Sequence, residues 1–341
     1  MKSPLVRRFF LIFSFCTILY SCKKEIAISV VEEEIINIPM GFPLIKFPAD
    51  NSFTKERWKL GKQLFFDKQL SKNNTISCAS CHKQKFAFSD DVALSKGDNN
   101  SIGTSNAPTL ANVAYHPYFT RAGGVPTLEM QILVPIQEHN EFNTNMVDVV
   151  EKLRNNNFYQ TMAKTAYNRD LDAFVITRAL ATFERSLISG NTKFDEYYYK
   201  GKTNALNESE KRGLSLFNSN KTNCSGCHSG FDFTNYAFEN NGLYPIYADS
   251  GRMRLTQLPQ DRARFKVPTL RNIALTGPYM HDGSFNTLND VIEHYNAGGQ
   301  SHINKSNLIK PLLLTAREKQ DLINFLKTLT DHKLIQNSNF Q

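Results

Sequence analysis

What most restricts the fold of this chain is a duplication built around one five-residue pattern. Cys78-Ala79-Ser80-Cys81-His82 and Cys224-Ser225-Gly226-Cys227-His228 each set two thiols and a histidine at fixed spacing. That spacing serves covalent attachment of a c-type haem: each thiol adds to a vinyl group and the adjacent histidine reaches the iron. One copy alone could equally be a zinc ligand set or a redox Cys-x-x-Cys. Two copies in similar surroundings favour two haems.

The surroundings repeat as well. Arg57-Trp58-Lys59-Leu60-Gly61-Lys62-Gln63-Leu64-Phe65 leads into the first copy, and Glu210-Lys211-Arg212-Gly213-Leu214-Ser215-Leu216-Phe217 into the second. Downstream, Asn106-Ala107-Pro108-Thr109-Leu110-Ala111-Asn112 answers Lys266-Val267-Pro268-Thr269-Leu270-Arg271-Asn272, and Thr127-Leu128 answers Thr287-Leu288. The offset is 146 positions at Cys78 and Cys224 but 160 at Pro108 and Pro268, so 14 extra residues follow the second copy. A repeat of this length means two similar domains, each with one haem.

The periodicity is helical. Trp58, Leu60, Leu64 and Phe65 fall on one face of a helix that starts after Thr54. Residues 146–154 and 171–188 read as amphipathic helices, and 191–207 as a connector. Asn207 with Glu210, and Thr315 with Glu318, are helix starts, the latter carrying Leu322, Ile323, Phe325, Leu326 and Leu329 inward. Strands find little support. The expected fold is mostly α, with two cytochrome c-like domains at 51–200 and 201–335.

The first residues give the address. Lys2, Arg7 and Arg8 precede an apolar run, Phe9 to Tyr20, too short to span a bilayer comfortably. Leu19-Tyr20-Ser21-Cys22 resembles a lipobox, with an ordinary signal peptide as the alternative. Residues 1–21 are thus read as a lipoprotein signal and 22–50 as a tether, placing the protein outside the bacterial cytoplasm, anchored to a membrane through lipidated Cys22. The six cysteines are consumed by this reading: Cys16 leaves with the signal, Cys22 takes lipid and four hold haem. Loss of Lys2, Arg7 and Arg8 lowers the formal charge from +8 to +5. Such a bias suits surface lysines and arginines, and no basic patch interleaved with aromatics points to nucleic acid.

An electron-transfer haem has both faces of its iron filled, whereas one that activates peroxide needs an open face and an acid/base group nearby. Two haems therefore suggest a division of labour, or else a two-haem wire with no chemistry.

The ordered set Leu60 to Asp67, the first haem motif, Ser105 to Thr109, Ala181 to Leu187, the second motif and Leu275 to Gly283 resembles the bacterial di-haem cytochrome c peroxidase family, which includes MauG. The resemblance implies that the first haem is peroxidatic and that the second passes electrons from a small redox protein, a cytochrome or a cupredoxin. It implies hydrogen peroxide as substrate, and the family's dimeric habit suggests a homodimer. The family's distal Glu and Gln fall on Glu141 and Gln131. The position of a distal His that closes the first iron in many members falls on Asp98, and no histidine lies between His82 and His116. The first haem is therefore expected to be open at rest.

For the second iron the resemblance sets Tyr295 opposite His228, as in MauG, with Met280 as the other candidate. A phenolate oxygen stabilises ferric iron more than a thioether does. Arg271 and His281 are expected to order this haem and its propionates. The resemblance also implies a calcium ion between the haems, held by the Asn106 side chain and the carbonyls of Thr276 and Pro278. The family's inter-haem Trp aligns near Arg121, so its electron route does not carry over; Tyr118 and Phe119 are the aromatic substitutes nearby. A MauG-like oxidase that modifies a partner protein, and a carrier without catalysis, are the other readings.

Overall fold

The computed structural model describes residues 35–341, so the signal segment and Cys22 lie outside it. In the first half, α1 (Lys55–Phe66) is followed by the haem-motif turn α2 (Cys78–Cys81), then α3 (Leu128–Gln131) and α4 (Leu133–Gln137). Helices α5 (Met146–Arg154), α6 (Asn157–Tyr167) and α7 (Ala173–Arg185) complete it. The second half holds α8 (Lys193–Tyr198), α9 (Glu208–Phe217), α10 (Met253–Thr256), α11 (Leu288–Ala297) and α12 (Ala316–Lys327), and α13 (His332–Gln336) ends the chain. The only ladder among the described residues pairs β1 (Phe238–Glu239) with β2 (Phe265–Lys266), antiparallel.

Each half is organised by one helix crossing. The Thr54 hydroxyl accepts from the Arg57 N–H to open α1, and Trp58, Leu60, Leu64 and Phe65 are buried, as the periodicity predicts. They pack on α7, with the Trp58 indole N–H donating to Ser186 Oγ at 2.8 Å. In the second half α9 opens on a capping box of Asn207 and Glu210, and α12 on one of Thr315 and Glu318. Gly61 and Gly213 let the paired helices touch. A Cβ on Gly61 would lie 1.9 Å from the Ala179 carbonyl oxygen, and one on Gly213 would lie 2.0 Å from that of Asp321. Beside each glycine an aromatic pair fills the crossing, Phe65 with Phe183 at 4.9 Å between ring centres and Phe217 with Phe325 at 5.1 Å. Two mostly helical cytochrome c-like domains result.

Three segments differ from the sequence reading. The stretch 191–207 is no loose connector: Thr192 and Asp195 cap α8, and Phe194 is buried in the second core. The lead-in packs from Ile36 onward, with Ile36 in the first core and the Phe42 ring 4.7 Å from that of Phe231 in the second half. The C-terminal tail returns to the first half, where Leu334 and Phe340 join its core. There the Gln84 amide donates to the carbonyls of Leu334 and Asn337 at 3.0 and 2.8 Å. The extra residues after the second haem motif form a small lobe around Leu243, Tyr247 and Ala263, packed against Met280 and Phe285.

Candidate functional site

The repeat downstream of each motif has a physical purpose. The His82 ring has its Nδ1 2.9 Å from the Phe88 carbonyl oxygen, and the His228 Nδ1 is 3.1 Å from that of Phe233. Phe88 and Phe233 take left-handed backbone angles, φ 61° and 51°, which turn those carbonyls toward the rings. The Pro-Thr-Leu segments strap the turns in place. Thr109 donates to the Ala87 carbonyl at 2.5 Å and Thr269 to that of Asp232 at 2.6 Å. Reciprocally, Ser89 donates to Ala107 and Thr234 to Val267. With Nδ1–H committed to a carbonyl, Nε2 carries the free lone pair that an iron needs. Burial depresses both imidazoles, His228 to about 4, so both are neutral.

The four motif thiols are unpaired with one another. Burial raises them, Cys81 and Cys227 to about 11. Among the described residues no three His, Cys, Asp or Glu side chains converge to hold a metal ion, which removes the zinc reading. Two thiols and a neutral imidazole with Nε2 free fit a covalent haem in each half.

On the second side a cavity of about 370 Å³ is lined by Cys224, Cys227, His228, Met280 and Tyr295, with Ile292 and Leu326 among its apolar walls. Tyr295 projects from α11, and burial raises its phenol to about 12 against a lowering hydrogen bond with Asn241. Met280 reaches the same cavity, but its sulfur accepts from the Asn241 amide at 3.2 Å.

The first side is arranged differently. Gln131 ends α3, and its Oε1 is buried with no hydrogen-bond partner among the described residues. Pro135 stands in the first turn of α4, where no backbone donor is needed. Glu141 follows on the next turn. Its side chain remains accessible while protein surrounds it on most sides, and this desolvation, with the nearby Glu138 charge, raises it to about 7. Its charge is felt at both Cys78 and Cys81, which sets it beside the first motif. The Asp98 carboxylate accepts from Asn73 and Thr75, and the Asp98 N–H donates to the Glu141 carbonyl at 2.7 Å. Asp98 thus fixes the backbone that carries Glu141. Burial opposes its ionised form, but the Thr75 and Asn73 donors outweigh that and hold its pKa low.

Two expectations meet different geometry. Arg271 is fully buried, but its guanidinium is spent on Asp195 in a two-bond pair, both 2.9 Å, and on the Phe231 carbonyl at 2.7 Å. It braces the segment that presents the Phe233 carbonyl to His228 and is not free for a propionate. Asn106 with Thr276 and Pro278 does line one wall, that of the cavity at the second motif. However, its side-chain oxygen already accepts from Arg121 Nη2 at 3.2 Å, so this donor set does not fit a calcium ion. Of the aromatic substitutes, Phe119 lines that wall, whereas Tyr118 stacks on Phe238 at 5.2 Å.

Sequence reasoning missed Glu184. It is buried, its charge is felt at Cys78, and desolvation raises it to about 8. Beside Arg185 it reads as one half of an ion pair. That arginine instead makes a two-bond pair with Glu129 at 2.6 and 2.9 Å. Nothing short-range in the sequence distinguishes the two carboxylates.

Two cytochrome c folds, each closing on a Cys-x-x-Cys-His, define a di-haem c-type protein. The family model described as di-haem cytochrome c peroxidase matches residues 55–204, and that of cytochrome c matches 210–330. The methylamine utilization protein MauG of Methylorubrum extorquens is 36% identical over 84% of this chain and 81% of its own. Cytochrome c551 peroxidase of Nitrosomonas europaea is 34% identical over 80% of this chain and 79% of its own. Among solved structures, a MauG-like protein associated with microbial copper homeostasis superposes with a TM-score of 0.85 at 34% identity, covering 89% of this chain and 98% of that one. The chain belongs to the di-haem cytochrome c peroxidase family, in which MauG also stands.

Proposed function

We propose that this protein reduces hydrogen peroxide to water at its first haem, with electrons arriving from a small redox protein through the second. The haems supply peroxide binding and electron storage; this chain's residues supply protons, orientation and exclusion of ligands. The observation that carries the reading is Glu141, an exposed carboxyl beside the first motif that desolvation and the Glu138 charge raise to about 7. A group with that pKa can take a proton from one peroxide oxygen and return it to the departing one near neutral pH. Gln131, with its unpartnered buried Oε1, orients a bound hydroxyl. Asp98 is occupied with Asn73 and Thr75 and so would not reach the first iron, while His228 and Tyr295, which line one cavity, would hold the second.

Tyr295 favours a second reading, a MauG-like oxidase that spends peroxide on a partner protein, because an oxygen ligand stabilises higher iron states. Export through residues 1–21, anchoring at Cys22 and domains at 51–200 and 201–335 complete the proposal. No helix of the described residues is long and apolar enough to cross a membrane. The test is steady-state peroxide consumption with a reduced cytochrome as donor. E141Q should lose most of that activity while keeping both haems. Equal activity in E141Q would end the peroxidase reading, and oxidised iron states that persist without donor would favour the oxidase.

A further inference from the structure

The cavity wall that carries Asn106, Thr276 and Pro278 already contains a cation. Arg121 lies deep in the molecule and holds Asn106 at three points, with Nε and Nη2 on its carbonyl oxygen at 3.2 and 2.8 Å and Nη2 on its side-chain oxygen at 3.2 Å. The Asn106 amide nitrogen donates to the Val92 carbonyl at 3.2 Å, which fixes the amide so that oxygen, not nitrogen, faces the guanidinium. Asn106 itself is buried, and its N–H donates to the His281 carbonyl at 3.0 Å. Thr276 and Pro278 lie in the same wall.

We infer that the Arg121 guanidinium is this protein's built-in cation at that wall, in place of a bound calcium ion. An Asn side-chain oxygen that accepts from a guanidinium is poorly placed to coordinate a divalent ion as well, since the two cations would repel across a shared acceptor in a buried setting. Admitting calcium would require Arg121 to release the Asn106 side-chain oxygen. The negative charges of Asp282 and Asp249 are felt at Arg121 and favour its charged form, while Lys266 adds a second cation to the wall. The substitution also accounts for two departures at once: the residue that removes the aromatic bridge supplies the charge. The inference stands whichever reaction the first haem performs.

The first measurement needs no variant. The purified holoprotein, exchanged into calcium-free buffer, should contain calcium only at background in elemental analysis. Treatment with a calcium chelator should leave the absorption and resonance spectra of both haems unshifted. Stoichiometric calcium in the wild type would overturn the inference. The second measurement is calorimetric titration of calcium chloride into R121Q that retains both haems. Calcium uptake approaching one ion per chain, with none in the wild type, is expected. A haem-replete R121Q that takes up no calcium would overturn the claim that the guanidinium fills a calcium position.

Discussion

The two halves share a scaffold almost residue for residue and differ where a sixth ligand would stand. Each has a glycine-seated helix crossing, a proximal histidine tied to a left-handed phenylalanine carbonyl and a threonine strap behind it. Beyond Thr127 and Thr287, which cap equivalent helices, the halves part. In the second, α11 runs unbroken for ten residues and carries Tyr295 into the cavity. In the first, the helical segments α3 and α4 meet at Ile132, whose backbone stays helical, and by the same 160-residue offset the position of Tyr295 is taken by Pro135. Proline has no side-chain donor atom for iron. A duplication thus keeps its proximal side and diverges opposite it: one copy presents Tyr295 from a continuous helix, and the other sets Pro135 at that position, between Gln131 and Glu141.

This contrast can be broken at several points. The largest effect should come from E141Q, with a fall in peroxide turnover of about 10²–10⁴-fold, the range for loss of a general acid/base. Wild-type turnover should also drop as pH falls through about 7, because Glu141 must be ionised to accept a proton. Its raised pKa moves that loss upward from the usual carboxylate range, and E141Q should flatten this limb of the profile. G61A and G213A should each destabilise by about 1–3 kcal/mol, the cost of forcing packed helices apart. Denaturant titration would read both, and similar losses are expected because the two crossings are alike. T109A should cost about 1–3 kcal/mol, because the Thr109 hydroxyl donates to the Ala87 carbonyl and accepts from the Ala111 N–H, with T269A matching it. Finally, Y295F should alter the absorption spectrum of the second haem alone; an unchanged spectrum would remove Tyr295 from the iron.

Much of this was readable from sequence because the relevant signals are local or repeated. Trp58, Leu64 and Phe65 announced α1 by their spacing, and Asn207 with Glu210 announced the start of α9. The haem motifs announced their own chemistry, and the repeat foretold two like domains. Contacts between residues far apart were not readable. Arg271 looked available for a propionate until Asp195, 76 positions away, claimed it. Asn106 looked like an ion ligand until Arg121 folded onto it. In each case an ordinary pair of opposite or complementary groups was completed by tertiary structure, and nothing in either segment marks the partner. Glu184 was invisible for the same reason, since its isolation depends on Arg185 choosing Glu129.

The crossed termini carry one more consequence. The turn that supports His82 includes Phe88, whose ring packs 6.1 Å from that of Phe340, the penultimate residue. In a chain delivered from its N-terminus, the first haem motif emerges early, but the shell around it stays incomplete until Phe340 arrives. The surroundings of the first motif are therefore completed only after the second half has emerged, and neither half specifies a finished module. Cutting the chain between the halves would leave the first without its closing tail and the second without the Phe42 lead-in, so the duplicated domains have become structurally inseparable.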